Sequence, residues 1–196
     1  MVVPDKKRLQ YLSWLTLFGM SALGILLIHY VYPYMHPNRP VRDVSDTLTG
    51  GKNYYLQSIA GLFFGSLAAL LAVALINGKR FKSVRAFFEE LLHDINPSVV
   101  NILFYSFCAA VGEEVLFRAG LQPLIGIWPA AIVFVLLHGY INPMNVNLSI
   151  YGMLLIVICA GFGYLFKFFG LASCIIAHFI YDVAMFSVLK YSVRRT

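Results

Sequence analysis

Charge is scarce in this chain, and its scarcity excludes an ordinary soluble domain. Only 12% of the 196 residues are charged, whereas 60% are hydrophobic and the mean hydropathy is +0.76. Soluble domains contain about 25% charged and 45–50% apolar residues. The composition therefore predicts an integral membrane protein. The net charge of +6 does not indicate nucleic acid, because the basic residues cluster beside apolar runs.

Cysteines are few, and internal repeats are absent from the sequence. Cys108, Cys159 and Cys174 lie within apolar runs and lack the C-x-x-C or metal-finger spacing, so we expect small buried side chains. The first apolar run follows a basic start but has no small-residue cleavage site. We therefore expect it to remain as a membrane span rather than to be removed.

Six apolar runs predict an all-α polytopic bundle of about six spans, since about 20 residues cross a bilayer as a helix. From Phe81 to Ile95, apolar residues recur at helical spacing and predict a short interfacial helix. We expect one membrane domain over residues 1–196, with two spans and this helix in residues 1–96. The predicted spans are 9–34, 54–77, 97–124, 127–141, 148–169 and 171–190.

Basic residues favour one orientation of this bundle. With six spans, ten of the 15 Lys and Arg residues fall on the side of the N-terminus and four on the other. The positive-inside rule then predicts that both termini are cytoplasmic.

Three charges interrupt the apolar half of the chain. Glu113, Glu114 and Arg118 are the only Asp, Glu, Lys or Arg residues between Asp94 and Lys167. Each would cost about 2.5–3.5 kcal/mol at the bilayer centre. Glu114 and Arg118 stand four residues apart and can pair on one helix face. Glu113 points about 100° away, which makes it a candidate general base.

Two histidines and an aspartate also lie in apolar runs at a matching depth. Glu113 lies about 11 residues before the end of the third run, and His138 lies about 11 residues after the start of the fourth, roughly 16 Å in each case. His178 and Asp182 lie about 7 and 11 residues into the last run, which starts on the same side. We therefore expect one polar layer formed by three helices.

These residues form three ordered motifs, Glu-Glu-x-x-x-Arg, Phe-x-x-x-His and His-x-x-x-Asp, at 113–118, 134–138 and 178–182. Their order resembles the CPBP family of CAAX proteases and bacteriocin-processing membrane proteins, over about residues 97–190. The resemblance implies an intramembrane endopeptidase of the glutamic type. It implies that Glu113 and His138 activate a water, that His178 and Asp182 stabilise the oxyanion, and that Glu114, Arg118 and Phe134 support them.

Two features of the site leave alternatives open. The last family motif often ends in asparagine, whereas Asp182 can donate a hydrogen bond only when protonated, so it could instead orient His178. Glu113, His138 and His178 would also suit a zinc ion with a bound water. Because no H-E-x-x-H motif is present, we favour a mechanism with no cofactor.

Other function classes fit parts of the pattern. Buried carboxylates and histidines also occur in proton-coupled transporters and channel subunits, and a noncatalytic bacteriocin-immunity or assembly protein could keep the same fold. The expected partners are the lipid bilayer and a membrane-associated protein or peptide, in the plasma membrane of a bacterium or archaeon. The G-x-x-x-G at Gly61–Gly65 permits either packing within the chain or a homo-oligomer.

Overall fold

The computed structural model describes residues 6–37, 53–93 and 97–193, and these residues form a helical bundle. Within them, five helices are long and apolar enough to cross a membrane, which confirms the all-α membrane fold. In chain order the helices are α1 (Lys7–Met35), α2 (Tyr54–Asn77), α3 (Lys82–His93), α4 (Val99–Ile125), α5 (Ile127–Leu137), α6 (Val146–Phe168) and α7 (Leu171–Val193).

Polar caps and glycines set the helix boundaries. The side chains of Asn53, Ser98 and Asn145 accept backbone N–H groups at the starts of α2, α4 and α6. Gly126 and Gly170 have φ values of +94° and +111° and end α4 and α6. Because side chains disfavour this region, glycine permits the sharp reversals into α5 and α7.

The fourth predicted span, 127–141, is shorter than expected. Helix α5 has 11 residues and ends at Leu137. At 1.5 Å per residue it is about 16 Å long, roughly half of the hydrocarbon core. Gly139, with φ +72°, turns the chain out of the helix, and Pro143 lacks the N–H needed to continue it. His138 therefore lies at the inner end of a half-length helix.

A short helix, α3, is present where the interfacial helix is predicted, and its apolar face packs on the bundle. Val84 is fully buried, and Phe81 is nearly so. The ring of Phe88 lies 6.1 Å from that of Tyr140 and 5.6 Å from that of Tyr151. Helix α3 thus reaches the loop that follows His138. Ile95, the last residue of the predicted pattern, lies outside the described residues.

The G-x-x-x-G motif is used inside the chain. A Cβ atom at Gly61 would lie 2.5 Å from the carbonyl oxygen of Ser173, and one at Gly65 would lie 2.5 Å from that of Ala177. These two glycines let α2 approach the backbone of α7 closely. The motif therefore needs no second copy of the chain to explain it.

Contacts at the two ends of the bundle define the direction of the helices. At one end, the side chain of Gln57 accepts the N–H of Ala172, so the starts of α2 and α7 are neighbours. At the other, the side chain of Asn147 donates to the carbonyl oxygen of Arg80, so α2 ends where α6 begins. The half-length α5 and the loop after it must therefore together return the chain to the end of the bundle where α6 begins.

Candidate active site

A single buried carboxylate joins the two polar helices. Glu114 Oε2 lies 3.0 Å from Arg118 Nε, as the spacing on α4 predicts. The other oxygen, Oε1, lies 2.9 Å from Nδ1 of His178 on α7. Both partners of the Glu114–Arg118 pair have 0% of their side-chain surface exposed. Glu114 thereby fixes the imidazole of His178. The two residues are 64 positions apart in the sequence, so helix periodicity cannot predict this contact.

Glu113 and His138 face each other across a short gap. Glu113 Oε1 lies 3.9 Å from His138 Nε2, which is beyond hydrogen-bond distance. His138 Nδ1 lies 2.7 Å from the carbonyl oxygen of Phe134. Because a carbonyl only accepts, Nδ1 carries the hydrogen, and Nε2 of the neutral ring has a free lone pair. Two acceptors at this separation can share one water molecule.

The second nitrogen of His178 lies on the same side as Glu113. His178 Nε2 is 3.8 Å from Glu113 Oε2 and 3.6 Å from Asp182 Oδ2. The hydrogen bond that orients this ring comes from Glu114, through Nδ1. Asp182 is therefore not needed as the carboxylate that orients the imidazole from behind. Asp182 lies instead beside Nε2 of His178, the ring nitrogen that faces Glu113.

Exposure divides these residues into two groups. The side chains of His138, Asp182 and Glu113 are 32%, 18% and 11% exposed, and all three line a cavity. Glu114 and Arg118 are sealed behind them. The first group can meet a water or a substrate, whereas the second can act only by holding other side chains in place.

Two aromatic rings hold His138 from either side. The Phe134 ring stacks on its imidazole with centroids 4.3 Å apart, and the Tyr140 ring lies parallel at 5.8 Å. Phe134 also lies 5.7 Å from the Arg118 guanidinium carbon, a cation–π distance. The Phe-x-x-x-His spacing predicts the first contact. Tyr140 was missed, because it follows the turn at Gly139 and lies on no helix face.

The cavity has a volume of about 310 Å³ and a polar end formed by Glu113, His138, His178 and Asp182. Most of its other lining is apolar. One wall comes from α1, a span to which the sequence assigns no function. Such a cavity can hold water beside the carboxylates and an apolar chain beyond them.

The same side chains bear on the zinc alternative. Among the side chains that the structure describes, no three His, Cys, Asp or Glu residues are placed to hold a metal ion together. The set considered for zinc is Glu113, His138 and His178, and Glu113 lies 3.9 Å from the first histidine and 3.8 Å from the second.

Comparison with known families gives one match, over the second half of the chain. Residues 95–184 match the family model described as "Type II CAAX prenyl endopeptidase Rce1-like". Over these residues the chain is similar to the Rce1-like family. No curated protein and no solved structure gives a significant match.

The Rce1-like match confirms the resemblance predicted from the motifs and supports a CAAX-type intramembrane protease. It covers all of the candidate site residues on α4, α5 and α7. Helices α1, α2 and α3 precede it. The contribution of α1 to the cavity wall therefore comes from outside the matched residues.

The buried Glu114–Arg118 pair should be essential for stability. Replacement of Arg118 by Met leaves an uncompensated buried carboxylate, which typically costs about 3–5 kcal/mol. The matched control is Arg85→Met, which breaks an Arg–Glu pair of the same i, i+4 spacing whose side chains are 36% and 23% exposed. Pairs of that kind contribute about 0–1 kcal/mol.

The measurement is thermal unfolding in detergent, followed with a thiol-reactive dye that reports exposure of the three buried cysteines. We expect a large fall in the midpoint for Arg118→Met and little change for Arg85→Met. Equal midpoints for the two variants would contradict the supporting role of the buried pair.

Proposed function

We propose that this protein is an intramembrane endopeptidase in which Glu113 and His138 activate a water molecule. The observation that carries the proposal is the pairing of Glu113 Oε1 with the lone pair of His138 Nε2 across 3.9 Å at the polar end of the cavity. The substrate is a membrane-associated protein or peptide whose scissile bond enters this cavity.

The reaction begins with the shared water. Glu113 accepts a proton as the water oxygen attacks the carbonyl carbon of the peptide bond, and His138 orients the water through Nε2. The carbonyl oxygen becomes an oxyanion. The proton then passes to the amide nitrogen, the C–N bond breaks, and the products are a carboxylate and an amine.

The oxyanion needs hydrogen-bond donors close to the carbonyl oxygen on which the negative charge develops. His178 Nε2 and Asp182 Oδ2, 3.6 Å apart, are the candidate groups. Glu114 accepts a hydrogen bond from His178 Nδ1, so a proton on Nε2 would point into the cavity. Asp182 contributes as a donor in its protonated form.

Glu113→Gln should abolish cleavage, since an amide cannot accept the proton from water. General-base catalysis contributes about 10²–10⁴-fold, and a loss of that size is expected. The assay uses purified protein in detergent with quenched fluorescent peptides, including a prenylated CAAX peptide and a library of apolar peptides. Glu89→Gln makes the same chemical change in the partly exposed ion pair of α3 and should keep full activity.

Bound metal is measured on the same preparation. Undiminished cleavage by Glu113→Gln would remove Glu113 from the mechanism. One zinc ion per active chain, with activity lost on chelation and restored by zinc, would overturn the metal-free mechanism. Absence of peptide cleavage by the wild-type protein across the whole substrate set would count against an endopeptidase and favour a transport or immunity role.

Asp182→Asn tests the proposed donor role of Asp182. The asparagine amide donates a hydrogen bond at every pH, so this variant should retain cleavage and lose any dependence on Asp182 protonation. Asp182→Leu removes the donor and should reduce kcat by about 10²–10³-fold. Cleavage is measured between pH 5 and 9. Equal loss in the Asn and Leu variants would show that the negative charge, not the donated hydrogen bond, is required.

A further inference from the structure

We infer that α1 forms the wall of the cavity that selects the substrate by the size of an apolar side chain. Four residues of α1 line the cavity: Leu9, Leu12, Ser13 and Thr16. Their spacing of three, four and seven residues places them on one helix face. The inference rests on the proposed function, because the occupant is the apolar segment of the peptide next to the scissile bond.

The cavity is elongated along the bundle. On α7, its lining runs from His178 in the polar layer to Leu189. Eleven residues of helix correspond to about 16 Å. Tyr105 and Ala109 continue the wall below Glu113 on α4. A peptide with its scissile bond at Glu113 would therefore lay neighbouring side chains along this apolar channel.

Helix α1 is held beside the channel by close backbone packing. A Cβ atom at Gly112 would overlap the carbonyl oxygen of Thr16, so the two helices touch one residue before Glu113. Thr16 is thus the part of the wall nearest the polar layer. Leu9 lies seven residues away along the helix, about 10 Å further from that layer.

Ser13, at the midpoint of the α1 wall, has a small side chain and so leaves the channel wider there. Its hydroxyl donates to the carbonyl oxygen of Leu9 at 2.9 Å, and the residue is only 8% exposed. With its hydrogen satisfied within the helix, Ser13 presents little more than a small surface to the channel. Leu12, beside it, presents a large apolar one. Exchange of small and large residues here should change which substrate side chains fit.

Two opposite substitutions test the wall. Ser13→Leu narrows the channel, and Leu12→Ala widens it. The control is Leu15→Ala, since Leu15 is 66% exposed and does not line the cavity. The substrates are peptide pairs that differ by a small or a large apolar residue at each position flanking the scissile bond. The readout is the ratio of kcat/KM for the large and the small member.

At one flanking position we expect Ser13→Leu to shift this ratio toward the small residue by about tenfold or more, and Leu12→Ala to shift it toward the large one. The better substrate of each variant should keep a kcat close to that of the wild type. Leu15→Ala should leave every ratio unchanged.

The possible results separate this inference from the proposed function. No cleavage by the wild-type protein refutes the proposed function itself. Cleavage by the wild type with unchanged ratios in both wall variants overturns the inference alone. An equal loss on all peptides with a lower unfolding temperature also overturns it, because that result indicates a purely structural wall. Should Ser13→Leu fail to fold, Leu12→Ala decides.

Discussion

The rest of the site depends on one buried carboxylate, Glu114. It contacts Arg118 at 3.0 Å and accepts a hydrogen bond from His178 at 2.9 Å, and no part of its side chain is exposed. In an apolar bundle, each of these polar groups alone would be costly. Together they form a network that joins α4 to α7. The contact of Glu114 with His178 therefore lowers the cost of burying these polar groups, and it also sets the position of His178, the histidine that we propose for the oxyanion.

This network explains why two adjacent glutamates can serve different purposes. Successive residues of a helix point about 100° apart, so Glu114 faces the packed side and Glu113 faces the cavity. Glu113 lies 3.9 Å from His138 and 3.8 Å from His178, close to both but hydrogen-bonded to neither. Its carboxylate is therefore available to a water, and the half-length α5 ends where His138 can reach that water from the other side.

Local sequence patterns predicted much of this structure. Hydropathy placed the long spans to within a few residues, and the i, i+4 spacing identified the Glu114–Arg118 pair, since both depend on one helix at a time. The early end of α5 was missed, because an apolar run does not reveal the turn at Gly139. The contact of Glu114 with His178, the ring of Tyr140 beside His138 and the wall formed by α1 depend on how distant segments pack, which helix periodicity does not encode.

We propose that Glu113 and His138 act on one water molecule. A double-mutant cycle in peptide cleavage, with Glu113→Gln, His138→Ala and the combined variant, tests it most directly. Residues that act as a unit are strongly non-additive. We expect the double variant to be about as slow as the slower single variant. Losses that multiply would contradict it, because they would show that the two side chains act independently.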